Sequence, residues 1–385
     1  MTYLANEDEG WSELAERFPT GLDLAASARA CGAFMRARGV GSAGDLLRLA
    51  LIYGTTPLSL RGTATWAEAK GLARLSDVAL LGRLQGADTW LGTIVAALLS
   101  AALPPPGGVP KGKRRVRLVD ATMIQAPGRA QPSWRLHADY DWARSRFVDL
   151  VLTDHHASES LQRFTPDRGD LVVADRYYAK ARQLHHVIDR GADFIVRRGI
   201  TGCKLVHADG GKFDLKKTLG SVGAGGTLDL PVSVPAPPDG GGAPLRARLI
   251  IRHLDEHAAQ AQRRARRKAA RAGQKAQAKR LEAAQYCMLL TSLEADEASA
   301  DDVLALYRLR WQIEIAFKRL KSLVGLADLQ AKEPRLVRSC LYAKLILGLL
   351  SEDILQDLLE SFPSAPTDRA AVDLAAPAHH PQNPA

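Results

Sequence analysis

Cysteine is scarce and scattered: four residues in 385, Cys31, Cys203, Cys287 and Cys340, with no CxxC pair and no metal-ligand spacing. That excludes a disulfide framework and a thiolate metal site, and the four read as buried thiols of a reducing cytoplasm. Long apolar runs are missing too. The longest, CLYAKLILGLL, is short and contains Lys344, so it reads as a core helix and no membrane span is expected. The first residues, MTYLANEDEGW, are acidic and lack the apolar stretch of a signal peptide. GAGG and DGGGAP have no strand-turn-helix context, which excludes a P-loop or dinucleotide fingerprint. The histidine pairs 155–156, 185–186 and 379–380 show no consistent ligand spacing. Acid is absent where base is densest: residues 263–280 hold nine Lys or Arg and no Asp or Glu.

What is present supports a sizeable core and an anionic partner. Hydrophobic residues make up 46% of the chain, and the formal net charge is +10. Nucleic acid is the first partner such a balance suggests, although a GC-rich coding bias raises Arg and Ala for no functional reason. Residues 1–103 read as all-helical, with Leu and Ala at helical spacing. Within them TATWAEAKGLARLSDVALLGRL resembles a helix-turn-helix, with Gly71 at the turn and Ser76 or Asp77 capping the second helix; an ordinary helical bundle is the alternative. PPPGGVPKGKRR (104–115) marks a boundary.

Strand patterns follow it. VRLVD (116–120) is a short apolar run ending in an acid, and WRLHADYD with RFVDLVLTD reads as a hairpin. HHASESLQRF reads as a helix, LVVAD (171–175) as a second buried strand ending in an acid, YYAKARQLHHVIDRG as a helix and DFIVRR as a strand. The order β-β-β-α-β-α-β is that of an α/β, ribonuclease-H-like catalytic core over 104–198 and 301–330. Residues 199–300 read as a β-rich insertion, with strands expected in KLVHADGGKFDLKKTL, TLDLPVSV, LRARLIIRHL and QYCMLLTSL. The basic segment 263–280 has no apolar stripe and reads equally as a solvated helix or a DNA-contacting arm. A C-terminal helical region, 331–361, and an Ala/Pro-rich disordered tail, 362–385, complete the chain.

YRLRWQIEIAFKRLKS (307–322) carries the chemistry. On one continuous helix with Tyr307 at zero, Arg310, Glu314 and Lys321 fall near ~300°, ~340° and ~320°, beside an apolar arc of Leu306, Leu309, Ile313, Phe317, Leu320 and Val324. An Arg310–Glu314 pair on a solvated face explains one cation of the stripe and leaves Lys321 over. Breaking a phosphodiester calls for two divalent cations about 3.5–4 Å apart on hard oxygen ligands. Asp120 and Asp175 end two short strands, and if these are adjacent and parallel their ends lie about 4.8 Å apart. Asp154 is the rival, two strands out and roughly 10 Å away. Singly, each Asp also reads as a turn-former or helix cap.

Tyr307-x2-Arg310-x3-Glu314-x6-Lys321 is similar at all four positions to the Tyr-Arg-Glu-Lys signature of the DDE transposases of the insertion sequence 4 family. VDATMI around Asp120 and ADRYYAK around Asp175 resemble that family's aspartate motifs, and RWQIEIAFKRLKS with PRLVRSCLYAKLILGLL also looks like it. The resemblance covers about residues 55–355. It implies Asp120, Asp175 and Glu314 as catalytic metal ligands for two Mg²⁺ ions, with Mn²⁺ as a substitute. It implies Arg310 and Lys321 as DNA-phosphate contacts, Tyr307 as a support near the transposon end, and cut-and-paste transposition on double-stranded DNA (terminal inverted repeats and target) by a dimer in the synaptic complex. Two departures stand out: Tyr177 where the family often has Gly, and no Trp between Trp142 and Trp311 to stack on a flipped base. A catalytically silent DNA-binding derivative and a ribonuclease-H-like nuclease are the competing readings.

Overall fold

The computed structural model describes residues 8–102, 113–125, 133–237, 242–255, 258–271, 278–361 and 372–373. Six helices come first: α1 (Asp8–Glu16), α2 (Leu24–Ala30), α3 (Ala43–Thr55), α4 (Leu60–Ala69), α5 (Asp77–Gly86) and α6 (Asp88–Ala102). Ser42, Ser59 and Ser76 start α3, α4 and α5, each accepting a hydrogen bond from the backbone N–H three residues on. Gly71 supplies the left-handed turn after α4, with φ +68°. The link from α4 to α5 nevertheless spans residues 70–76, longer than the 3–4-residue turn of a helix-turn-helix. A bridge between Val40 and Ala73 ties it down.

The strands are β1 (Lys113–Ile124), β2 (Trp134–Asp141), β3 (Arg146–Asp154), β4 (Asp170–Ala174), β5 (Asp193–Arg197), β6 (Val206–His207), β7 (Thr227–Val234), β8 (Leu245–His253), β9 (Tyr286–Thr291) and β10 (Val372–Asp373). They form one mixed sheet in the order β3-β2-β1-β4-β5-β9-β8-β7-β6, with β10 pairing the start of β1. β1, β4 and β5 are parallel, which requires crossovers, and α7 (Ala181–Asp189) makes the one between β4 and β5. The other helices are α8 (Leu215–Gly220), α9 (Ala258–Arg271), α10 (Ala278–Ala283), α11 (Ala300–Arg308), α12 (Trp311–Leu323) and α13 (Pro334–Ser361).

Strand alternation divides the apolar residues between two cores. Val116, Leu118, Leu171, Val173 and Ile195 face the layer of α11, α12, α13 and the N-terminal helices. Val119, Val172, Ala174, Phe194 and Val196 face α7, α8 and the loops before them.

Several expectations are corrected. β1 does not end at Asp120 but runs on to Ile124, because β2 stays paired with it after β4 has stopped. HHASESLQRF is a turn and a single 3-10 turn at Leu161–Arg163, too short to bury an apolar stripe. KLVHADGGKFDLKKTL yields only the two-residue β6 and the short helix α8, started by Asp214 accepting from the N–H groups of Lys216 and Lys217. The strands within 199–300 join the sheet of β1, β4 and β5: β9 pairs with β5, and β8, β7 and β6 follow in order. Within 331–361, α13 packs on α3, α5 and α6. Of the tail, Val372–Asp373 pair with β1; the rest of it, most of the 104–115 boundary and His379–His380 lie outside the described residues. No helix among the described residues is long and apolar enough to cross a membrane.

Candidate active site

Asp120 and Asp175 come together through strand register. The last β1–β4 pair is Val119 with Ala174, so the two acids follow side by side on adjacent parallel strands, about 4.8 Å apart across the sheet. Alternation then turns both toward the face that carries α11 and α12, the face of Leu118 and Val173. Asp154 goes elsewhere. Asp120 is level with Ala138 and Leu150, whereas Asp154 is level with Ile124, two strands out and four residues further along. Its Oδ1 accepts from the N–H groups of His156 and Ala157, which makes it a turn-former.

The segment holding Tyr307, Arg310, Glu314 and Lys321 is two helices and not one. α11 ends at Arg308 and α12 starts at Trp311. Between them the N–H groups of Leu309, Arg310 and Gln312 each bond three residues back, so the turn tightens to 3-10 geometry and a constant 100° step fails there. The apolar arc survives, with Leu306, Ile313, Phe317, Leu320 and Val324 buried. So does the polar stripe. Arg310 Nη2 donates to Glu314 Oε1 at 2.5 Å, and its Nη1 reaches Asp120 Oδ2 at 3.3 Å. Its Nε is buried with no partner among the described residues. Among the described residues Lys321 pairs with no acid; its Nζ donates to Thr122 Oγ1 at 2.6 Å. One guanidinium thus joins the first strand acid to the helix acid, and a separate ammonium is fixed two residues further along β1.

Burial pushes the Asp120 carboxyl up to about 6, helped by the charges of Asp175 and Glu159 and opposed by the Ala121 N–H and Arg310. Desolvation likewise raises the Tyr307 phenol to about 12 and lowers Lys321. Asp175 Oδ1 accepts from Tyr177 N–H at 2.6 Å, so this acid both starts a 3-10 turn (Arg176–Tyr178) and faces the site. Tyr177 keeps a negative φ, needs no glycine there, and lies exposed with Arg176 over its ring at 5.5 Å.

Three residues here escape sequence reasoning. For Thr122 the available signal is strand alternation, which makes it the next residue on the face of Asp120. Glu159 had no signal. Arg135, Arg163 and Gln183 hold the irregular segment around it by donating to the carbonyls of Ala157, Ser158 and Glu159 in turn. Tyr178 is fully buried, its hydroxyl has no partner among the described residues, and the charges of Glu159, Asp120 and Asp175 all act on it. His155 and His156 stack on each other at 3.8 Å, and His186 Nε2 meets Phe164 O. Among the described residues no three His, Cys, Asp or Glu side chains converge closely enough to hold a metal ion as they stand. Glu314 is turned to Arg310 instead.

Residues 111–350 match the family described as the transposase DDE domain. Over 358 residues the chain is 41% identical to InsL for insertion sequence element IS186A of Escherichia coli (strain K12), covering 92% of this chain and 96% of that one. It is 41% identical over 359 residues to the transposase for insertion sequence element IS421 of Escherichia coli, with the same 92% and 96% covered. Among solved structures, a cryo-EM structure of the piggyBac transposase synaptic complex with hairpin DNA aligns with TM-score 0.47 and 8% identity, over 90% of this chain and 75% of that one. The family match runs from β1 into α13, including both strand acids, the α11–α12 stripe and the sheet strands between them. The chain belongs to the DDE-domain transposases and is a transposase of the insertion-sequence kind.

Proposed function

We propose that Asp120, Asp175 and Glu314 are the catalytic carboxylates of a ribonuclease-H-like core, bounded as 104–198 and 301–330, and that they hold two Mg²⁺ ions, replaceable by Mn²⁺, while cutting and joining double-stranded DNA. The observation that carries this is Arg310 linking Asp120 to Glu314 where the pairing of β1 with β4 stops. The donor set suits a hard divalent cation: three carboxylates, partly desolvated, with Asp120 raised by burial and by neighbouring acids whose repulsion a cation would relieve. When bound, the ions supply activation of the attacking oxygen and stabilisation of the leaving one. The protein's own groups do the rest. Arg310 and Lys321 grip phosphates on either side of the scissile one, Tyr307 buttresses Arg310 from α11, and the sheet keeps both Asp side chains from drifting apart. The DNA is the element's terminal inverted repeats and then the target, met in the cytoplasm by a dimeric synaptic complex.

Cleavage of a duplex carrying the sequence that flanks the gene tests this. Asp120→Ala, Asp175→Ala and Glu314→Ala should each abolish strand cutting and weaken Mn²⁺ binding in calorimetry, with DNA affinity little changed. Lys321→Gln should fold normally and lose most cutting, because it removes a phosphate contact and only a Thr122 hydrogen bond. Normal cutting by Asp175→Ala or Lys321→Gln would refute the assignment of that residue.

A further inference from the structure

The α9 helix raises a question that its own packing does not answer. Gln260, Arg263, Arg264, Arg266, Arg267 and Ala270 are exposed, and among the described residues none of the four arginines is in an ion pair. On its own, a helix of this length is marginal in water. Arg263–Arg266, Arg264–Arg267 and Arg263–Arg267 sit at i,i+3 and i,i+4, where like charges destabilise it further. Such a helix gains most from a partner that carries negative charge.

Strand direction says where the helix leaves the sheet. β1, β4 and β5 run parallel, so their C-terminal ends share one edge, the edge of Asp120 and Asp175. β9 runs antiparallel to β5, and Tyr286 at its start pairs with His253 at the end of β8. The excursion from β8 to β9 that contains α9 therefore departs from the catalytic edge. From β1 to β8 there are four strand spacings, about 19 Å. Between them, at the end of β5, Arg197 is exposed and faces the same side of the sheet as Ile195, level with Asp175. Arg310, Arg197 and α9 thus mark a cationic line along one edge.

We propose that α9 is an arm that grips the phosphates of the DNA duplex being cut, with Arg197 as an intermediate contact. The proposal rests on the transposase reading of the edge. At ~3.4 Å per base pair, the 19 Å between β1 and β8 sets the root of the arm roughly 6 base pairs from the scissile phosphate. Recognition is of phosphate charge and not of base sequence, because four arginines spread over a wide arc of one helix offer no single face to a groove.

The test uses the full chain with Arg263, Arg264, Arg266 and Arg267 all changed to Gln, which keeps helix propensity. Binding to a fluorescein-labelled duplex is measured by anisotropy over a salt series. The slope of log affinity against log salt should become shallower by up to about 3.6, since each of four neutralised phosphates contributes ~0.9. Uncharged methylphosphonate linkages about 6 base pairs from the cut should weaken wild-type binding and leave the quadruple variant unaffected. An unchanged slope in a variant that still binds and cuts overturns the arm alone. Wild-type protein that shows no negative salt slope overturns both the arm and the DNA-transposing reading of the edge.

Discussion

At the scale of the residue, Asp120 answers to two demands. Its carboxyl is raised to about 6, with burial the largest cause, so the folded chain holds this proton more tightly than the unfolded chain does. A folded-state pKa above the unfolded value of an acid means that stability falls as pH rises between about 4 and 6 and stays reduced above that. Asp120→Asn should therefore be more stable than wild type at pH 8, by no more than about 3 kcal/mol, and match it below pH 4. The same variant should lose Mn²⁺ binding. In wild type, cation affinity should drop as pH falls below about 6, because the proton competes for the ligand. Thermal melts and calorimetry across pH 4–8 check both, and a flat difference between variant and wild type would show that Asp120 is not held above its ordinary range. On the proposed assignment of Asp120, the site trades stability for reactivity at this one carboxyl.

At the scale of the element, the close approach of α3 and α13 depends on a missing side chain. A Cβ at Gly54 would lie 2.8 Å from Ala343 Cβ and 3.2 Å from Cys340 O, and neither is the end of a flexible chain. Gly54→Ala should cost about 1–3 kcal/mol despite its better helix propensity, lowering the melting temperature by several degrees. Gly348 contrasts with it. A methyl at that position would meet Leu320 Cδ1, the far end of a side chain that can rotate, so Gly348→Ala should be milder. These elements also show what a sequence reveals. β1, β4 and β5 were legible because buried strands are short apolar runs, and the two acids because they close those runs. The α11–α12 break was not, since a helical wheel assumes a constant step and the 3-10 turn at Leu309–Arg310 violates it without any proline or glycine. Pairing of β9 with β5 is set across almost a hundred residues, so no local pattern betrays that 199–300 extends the sheet. Glu159 was invisible for a related reason: its position comes from Arg135, Arg163 and Gln183, on separate stretches of chain.

At the scale of the whole molecule, the two ends of the chain share one core. α13 lies on α3, α5 and α6, Ser339 Oγ donates to Leu84 O at 2.6 Å, and the buried Asp88 carboxylate accepts from Arg335 and Arg338. Lys344 Nζ in turn donates to Val324 O, which fastens the same helix to the end of α12. A chain ending at residue 330 should thus fail in its N-terminal helices, far from the cut. It should bind a hydrophobic dye, lose a cooperative melt and be digested first within residues 8–102. Sharp melting and dye exclusion by the shortened chain would show that the N-terminal helices close on their own.

The shared core also sets a timetable for synthesis. α6 leaves the ribosome roughly 230 residues before α13 does, on the order of 20 s at ~10 residues per second. During that interval Leu46, Leu49 and Trp90 belong to a layer whose last member has not been made. The carboxylates and the α12 cations are already translated while the lid on their supporting layer is still to come. A nascent chain stalled before α13 is therefore a client for chaperones, and a working enzyme appears only when its final long helix arrives.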